Sequence, residues 1–370
     1  MKEIINAQVI NILNIVPLAE NLARKKFISA FLLGLIDSRK VQFKEIALHI
    51  ESKAKLESTE RNIQSFFKEF LFDFDKVSVL LLLFLTKGKL DLCVDRTEWD
   101  FGKYQCNILM IVAKCGSIGI PLRWRLLDNK SGNSNWFDRC ELLEELIGVI
   151  GKDRINVIIG DREFIGIEWI KYLKTNEIDY CMRVPKNHLI TLNDGNILSI
   201  TELLQNKSER YFHDCMVDGV WGNSMLKTLP KGDFLFLIGS LPAKLLGATY
   251  RKRWSIEVLF QSFKERGFDL ESTHLKCNDK LSKLLVFVSI AVAICVRVGE
   301  FHNKKIQNLK TKKHGYKTNS FFRKGLDILR SSMKNSKADF NQFWQNCISS
   351  FLRWIKLQVS YNQQYIKILG

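Results

Sequence analysis

Three kinds of hydrophobic spacing follow one another along the chain. Over residues 1–88 apolar positions recur at helical intervals, with polar breaks near 37–40 and 58–61. The stretch RNIQSFFKEFL sets Ile63, Phe66, Phe67 and Phe70 on one stripe, so a small helical domain is predicted there. From Lys89 the period shortens to that of strands: KLDLCVDRT, CNILMIVAK and GIPLRWRLLD predict an antiparallel meander. An amphipathic helix over 135–150 follows, then INVIIGD at 155–161, whose unbroken apolar run predicts a strand buried on both faces. A further helix and the strand IDYCMRV complete the series.

Three strands, helix, strand, helix, strand is the element order of a ribonuclease H-like α/β core with a mixed sheet. Between 185 and 245 the helical signal fades, and short strand-like pieces such as FLFLIGS alternate with the turn pairs Asp194-Gly195 and Lys231-Gly232. This predicts a β-rich insertion. Helical spacing resumes near Thr249 and runs through the apolar segment 284–296. The resulting plan is a helical domain over 1–88, a catalytic core over 89–184 and 246–300, an insertion over 185–245 and a C-terminal region over 301–370. The run at 284–296, bounded by Lys283 and Arg297, falls short of the roughly 20 residues that span a bilayer and predicts a buried helix. The opening MKEIINAQVI lacks the order of a signal peptide, so a cytoplasmic protein with no membrane partner is expected.

Charge adds a partner to this picture. Lys and Arg total 56 against 39 Asp and Glu, a net charge of +17. Residues 258–370 hold 20 basic and 7 acidic side chains, whereas 95–257 are nearly balanced at 22 and 21. A neutral centre and a basic end suit chemistry in the middle and a polyanion held at the end. With 46% hydrophobic residues and 5 Pro, a disordered polymer is excluded. The nine Cys form no C-x-x-C pair, which argues against a disulfide framework or a zinc ribbon. The six His show no metal-ligand spacing, and no Walker-type loop occurs.

Two aspartates close apolar strand segments, Asp95 in LDLCVD and Asp161 in VIIGD. Carboxylates there face the crevice where α/β sheets bind ligands, although an Asp in such a place can equally cap a helix or start a turn. Glu163, Asp91 and Asp100 read as solvent or turn carboxylates. In YRKRWSIEVLFQSFKERG, residues 250–267, Tyr250, Arg253, Glu257 and Lys264 fall within about 60° of one another on a helical wheel, opposite Ile256, Leu259, Phe260 and Phe263. A solvated amphipathic helix would look the same. On either reading Arg253 and Lys264 point away from the apolar face, and their truncation is expected to leave the fold intact.

Taken with the aspartates, this segment resembles the bacterial DDE transposases of the insertion-sequence-four family, whose signature Y-x-x-R-x-x-x-E-x-x-x-x-x-x-K is complete here. The resemblance also covers DRTEWDFGKYQCNILMIVAKCGSIGIPLRWRLLDNKSGNSN at 95–135 and VIIGDREF at 157–164. It implies a cut-and-paste enzyme that cuts an insertion sequence at its terminal inverted repeats and joins the 3′ ends to target DNA. Asp95, Asp161 and Glu257 would hold two Mg²⁺ ions, with Mn²⁺ able to substitute, and Tyr250, Arg253 and Lys264 would contact phosphates. Related enzymes stack a flipped base on a Trp of the insertion; Trp221 is the candidate here, with a core role in the insertion as the alternative. The resemblance further implies double-stranded DNA as partner, a homodimer on DNA and a nucleoid-associated location. A nuclease or junction resolvase on the same core would account for the aspartates without the Tyr, Arg, Glu and Lys stripe, and an inert transposase-derived DNA-binding protein would have lost a carboxylate.

Overall fold

The computed structural model describes residues 2–101, 104–128, 132–264, 266–309 and 319–334, together with positions 353, 354, 357 and 360. Most of the basic region expected over 301–370 therefore lies outside the described residues.

The N-terminal stretch forms five helices, α1 (Lys2–Ile15), α2 (Leu22–Ser38), α3 (Phe43–Leu48), α4 (Leu56–Glu69) and α5 (Phe74–Leu82). Short polar side chains start two of them. Asn21 accepts from the Arg24 amide at 2.8 Å, and Asp73 accepts from the Asp75 and Lys76 amides at 3.0 and 3.1 Å. The stripe seen in the sequence is the buried face of α4, where Ile63, Phe66 and Phe67 are enclosed.

The meander follows as β1 (Leu90–Phe101), β2 (Tyr104–Cys115) and β3 (Ile118–Leu126), then α6 (Trp136–Ile150), β4 (Ile155–Gly160), α7 (Ile167–Thr175) and β5 (Tyr180–Arg183). β1 pairs antiparallel with β2 and β2 with β3, while β1, β4 and β5 run parallel. The order β3-β2-β1-β4-β5 is that of a ribonuclease H-like core. β2 is buried from Cys106 to Ala113 on successive residues, as a strand covered on both faces must be.

The insertion holds β6 (Ile190–Thr191), β7 (Ile197–Leu198), α8 (Ile200–Leu204), β8 (Glu209–Val217), β9 (Val220–Thr228) and β10 (Phe234–Gly239). It is β-rich, and it continues the core sheet: β10 lies antiparallel to β5, extending the order through β9 and β8 to β6 and β7.

The chain then forms α9 (Ala243–Tyr250), α10 (Trp254–Phe263), α11 (Asn278–Lys305) and α12 (Phe321–Lys334). α11 contains the apolar run and, among the described residues, is the one helix long and apolar enough to cross a membrane; it is buried inside the protein. Its Phe287 ring lies 4.2 Å from that of Phe31 and 5.6 Å from that of Phe67, so the helical N-terminus and α11 share one core. The charges that bound the run are buried too. Lys283 donates to the Phe67 carbonyl at 3.1 Å and pairs with Asp279 at 2.7 Å, and Arg297 Nε donates to the Phe84 carbonyl at 2.6 Å. Each pins a carbonyl that follows or ends a helix. α12 packs backbone to backbone on α11: a Cβ at Gly325 would stand 1.7 Å from the Cys295 carbonyl oxygen, and one at Gly299 would stand 1.9 Å from that of Phe321.

Candidate active site

The parallel ladder between β1 and β4 ends at the pair Val94 and Gly160. The next residue on each chain is Asp95 and Asp161, so the register brings these two residues to neighbouring positions. Asp95 does not end its strand as the sequence suggested. β1 continues to Phe101 because β2 keeps pairing with it, with Asp95 opposite Met110. After Gly160 the chain turns into a 3₁₀ turn, Arg162–Phe164; Asp161 occupies its cap position without a side-chain cap bond. Its carboxylate serves other partners.

Those partners come from the segment after the insertion. The sequence treats 250–267 as one helix, but α9 ends at Tyr250, a 3₁₀ turn spans Arg251–Arg253, and α10 begins at Trp254. Lys252 docks this turn on β1 through a 2.8 Å ion pair with Asp91. Tyr250 donates to Asp161 Oδ1 at 2.9 Å. Arg253 donates through Nη1 to Asp95 Oδ2 at 2.6 Å, and through Nη2 it binds Glu257 and lies 3.7 Å from Asp161. One guanidinium thus gathers Asp95, Asp161 and Glu257.

This corrects the expectation that Arg253 is a solvated charge whose loss spares the fold. It is 9% exposed and lies at the centre of the cluster. Burial opposes its charge, but Tyr250 and the three carboxylates outweigh that and raise its pKa. Burial pushes Asp95 up to about 6, against the attraction of Arg253 and the Arg96 amide; the charges of Asp161 and Glu163 add to the rise. Burial likewise raises Tyr250 and keeps it a hydrogen-bond donor.

Lys264 lies apart from this group. It caps α10 in an extended conformation, and its ammonium pairs with Glu271 at 2.6 Å. The helical wheel overstated its alignment because α10 stops at Phe263. Trp221 is on β9, 46% exposed, which excludes the core role in the insertion. Its carbonyl accepts from Lys174 at 2.7 Å and from the Tyr180 hydroxyl at 3.2 Å.

Glu163 escaped the sequence reading. It is a half-buried bridge rather than a solvent carboxylate: Arg96 Nε reaches both its oxygens at 3.2 and 3.0 Å, and the Ser134 amide and hydroxyl donate to Oε1 at 2.8 and 2.7 Å. The signal that could have found it is the repeated Asp-Arg pair, Asp95-Arg96 and Asp161-Arg162, which puts charge beside both strand aspartates directly after the apolar runs LDLCV and VIIG.

Three carboxylates converging from β1, the end of β4 and α10 are hard oxygen donors of the kind that hold Mg²⁺, and the donor set fits such an ion. As they stand, no group of three or more His, Cys, Asp or Glu among the described residues is arranged to hold a metal, because the guanidinium of Arg253 lies between the carboxylates.

A family model described as the transposase DDE domain matches residues 87–294, which span β1 to β5, the insertion, α9, α10 and much of α11. Comparison with curated proteins gives no match. Among solved structures, the chain is similar to a piggyBac transposase in a synaptic complex with hairpin DNA, at 11% identity and a TM-score of 0.39, over 94% of this chain and 82% of that one.

Proposed function

The chain belongs to the transposase DDE domain family, enzymes that cleave and join DNA strands, and from that membership we propose that it is a cut-and-paste transposase of the insertion-sequence-four type. The observation that carries the proposal is the convergence of Asp95, Asp161 and Glu257 on Arg253, next to Tyr250. Its substrates are the terminal inverted repeats of its own element and a target duplex. Its product is the element's 3′ ends joined to that target.

Asp95, Asp161 and Glu257 would hold divalent cations, taken here as two Mg²⁺ with Mn²⁺ as substitute. When bound, the cations supply activation of the attacking oxygen and stabilisation of the leaving one. The protein's own part is charge placement. Arg253 presents a planar fork suited to a phosphate, and Tyr250 offers a hydroxyl donor beside Asp161. A phosphate arriving at Arg253 competes with the carboxylates for the same N–H groups, so DNA binding and the release of Asp95 and Glu257 from Arg253 go together. Lys264 adds a point charge at the end of α10, reached by exchanging Glu271 for a phosphate. Trp221 offers an open aromatic face for an unstacked base. The helical N-terminus over 1–88 and the basic region over 301–370 would hold duplex DNA, and two copies would bring two ends together at the nucleoid.

Incubating the purified protein with duplexes taken from the DNA flanking its gene, with Mg²⁺, tests the proposal. Nicks, hairpins and strand-transfer products at the element's ends are expected, and none from Asp161→Ala. Cleavage of any duplex without regard to those ends, or full activity of Asp161→Ala, would overturn it.

A further inference from the structure

Beyond the rung formed by Val94 and Gly160, no backbone ladder holds Asp95 and Asp161 together. β1 goes on beside β2, and β4 turns away into the 3₁₀ turn. Their spacing beyond that point depends on side chains.

We propose that Glu163 is the positioning residue that fixes this spacing, tying the Asp161 turn to β1 through Arg96 and to the start of α6 through Ser134. The inference rests on the reading of Asp95 and Asp161 as the carboxylates of strand cleavage. Glu163 is two residues from Asp161 on the turn. Arg96 is the neighbour of Asp95 and donates its backbone N–H to Asp95 Oδ1 at 2.8 Å. The Arg96 side chain meets both Glu163 oxygens and continues to Asn107 on β2 at 2.8 Å. One arginine therefore touches the first aspartate by its backbone and the second aspartate's turn by its side chain.

The second arm is equally closed. Ser134 gives both its backbone and hydroxyl hydrogens to Glu163 Oε1, and its hydroxyl oxygen accepts from Arg139 Nε at 2.9 Å. Arg139 also lies over the Phe164 ring at 4.8 Å, gripping the same turn from its other side. Ser134 directly precedes Asn135, whose capping box with Asp138 fixes the first turn of α6. Ser134, Arg139 and Asn107 are all buried. A half-buried carboxylate that takes four hydrogen bonds from three donors on its two oxygens, with buried partners around it, is held by them in one orientation. An ion pair serving stability alone could sit anywhere in the fold; here the Arg96 arm reaches the residue beside Asp95, and both arms hold a side chain two residues from Asp161. Partners that orient ligating groups in this way govern metal affinity and rate.

The test uses the full-length protein as wild type, Glu163→Gln, Ser134→Ala and Asp161→Ala. Three quantities are compared: Mn²⁺ affinity by electron paramagnetic resonance, single-turnover cleavage of the flanking duplex over a Mg²⁺ titration, and melting temperature without metal. Glu163→Gln keeps its shape but loses the charge that holds Arg96. It should weaken Mn²⁺ binding and cleavage by about 10- to 100-fold, with DNA retention unchanged. Ser134→Ala keeps the backbone N–H and the Arg96 pair, and should move the same quantities in the same direction by less. Wild-type Mn²⁺ affinity and Mg²⁺ dependence in Glu163→Gln would overturn the inference whatever the melting temperature. If that variant does not fold, Ser134→Ala decides on the same readouts. Inactive Asp161→Ala beside a normal Glu163→Gln removes only the positioning role, whereas an active Asp161→Ala removes the functional reading itself.

Discussion

Arg253 and Asp95 are joined by a charge-assisted hydrogen bond of 2.6 Å between the turn that precedes α10 and the middle of β1, 158 residues apart in sequence. The same guanidinium serves Glu257 one helical turn on and stands 3.7 Å from Asp161. Among the described residues it is the one positive charge that pairs with this group of three carboxylates, and it couples fold stability to the chemistry of the site.

Arg253→Ala should therefore cost stability as well as activity. Breaking a fully buried pair costs about 3–5 kcal/mol; Asp161 and Glu257 keep some solvent, so about 2–3 kcal/mol is expected here. Divalent cations should restore part of the loss by replacing the missing charge. Thermal unfolding with and without Mg²⁺ checks this, and an unchanged melting temperature would show that the carboxylates do not depend on Arg253.

Asp95→Asn should abolish cleavage yet raise stability near neutral pH in the absence of metal. The Asp95 pKa is about 6 in the folded protein against 3.8 for a free side chain. Between those values the folded state keeps a proton that the unfolded chain releases, so rising pH costs stability through this window, and the full penalty stands above it. Removing the group should gain on the order of 3 kcal/mol at pH 8 and well under about 1 kcal/mol near pH 4. Melting curves of both proteins across that range decide it; a gain that is independent of pH would sink the idea.

Lys264→Ala should leave melting nearly unchanged, because a half-exposed pair such as Lys264 and Glu271 contributes about 0–1 kcal/mol. Its effect should appear in cleavage of the element's ends. Glu271→Gln provides the contrast, since it frees the ammonium for a phosphate. Equal losses of activity in the two variants would mean that the pair is structural and that Lys264 does not meet DNA.

Seven of the eight described cysteines are buried, and burial pushes Cys93, Cys106 and Cys181 up to about 12. Such thiols are poor nucleophiles. Among the described cysteines, a thiol reagent at neutral pH should modify Cys277 alone in the native protein. Mass mapping after brief alkylation checks this, and labelling of Cys93 would show that β1 opens beside the site.

What could be read from the sequence divides along physical lines. The strands carrying Asp95 and Asp161 were legible because an apolar run that stops at a carboxylate is a local pattern, and so was the buried face of α4 around Phe66 and Phe67. The break in the helix at Arg251–Arg253 was not, since RKR contains neither Gly nor Pro and continues the helical period. Burial of Arg253 was hidden for a related reason: a wheel scores a charge as solvent-facing, whereas three carboxylates from distant segments make the interior the better place for it. Glu163 depends on partners 67 and 29 residues away, and no local period carries such pairs. Lys283 and Arg297 looked like the polar limits of an apolar helix and are instead enclosed by the carbonyls of Phe67 and Phe84.

The zipping of β10 onto β5 makes the insertion a cantilever rather than a hinged flap. Gly160, next to Asp161, pairs with Met182; Met182 pairs with Ile238; Ile238 pairs with Ser224, three residues beyond Trp221. Four adjacent strands at about 4.8 Å spacing form a stiff ruler roughly 14 Å wide from β4 to β9. A force applied at the tryptophan bends this ruler instead of swinging a door, and part of that strain arrives at the turn where Asp161 begins. The aromatic face and the carboxylates are thus graduations on a single scale, and whatever is held at one end has its reach to the other already measured.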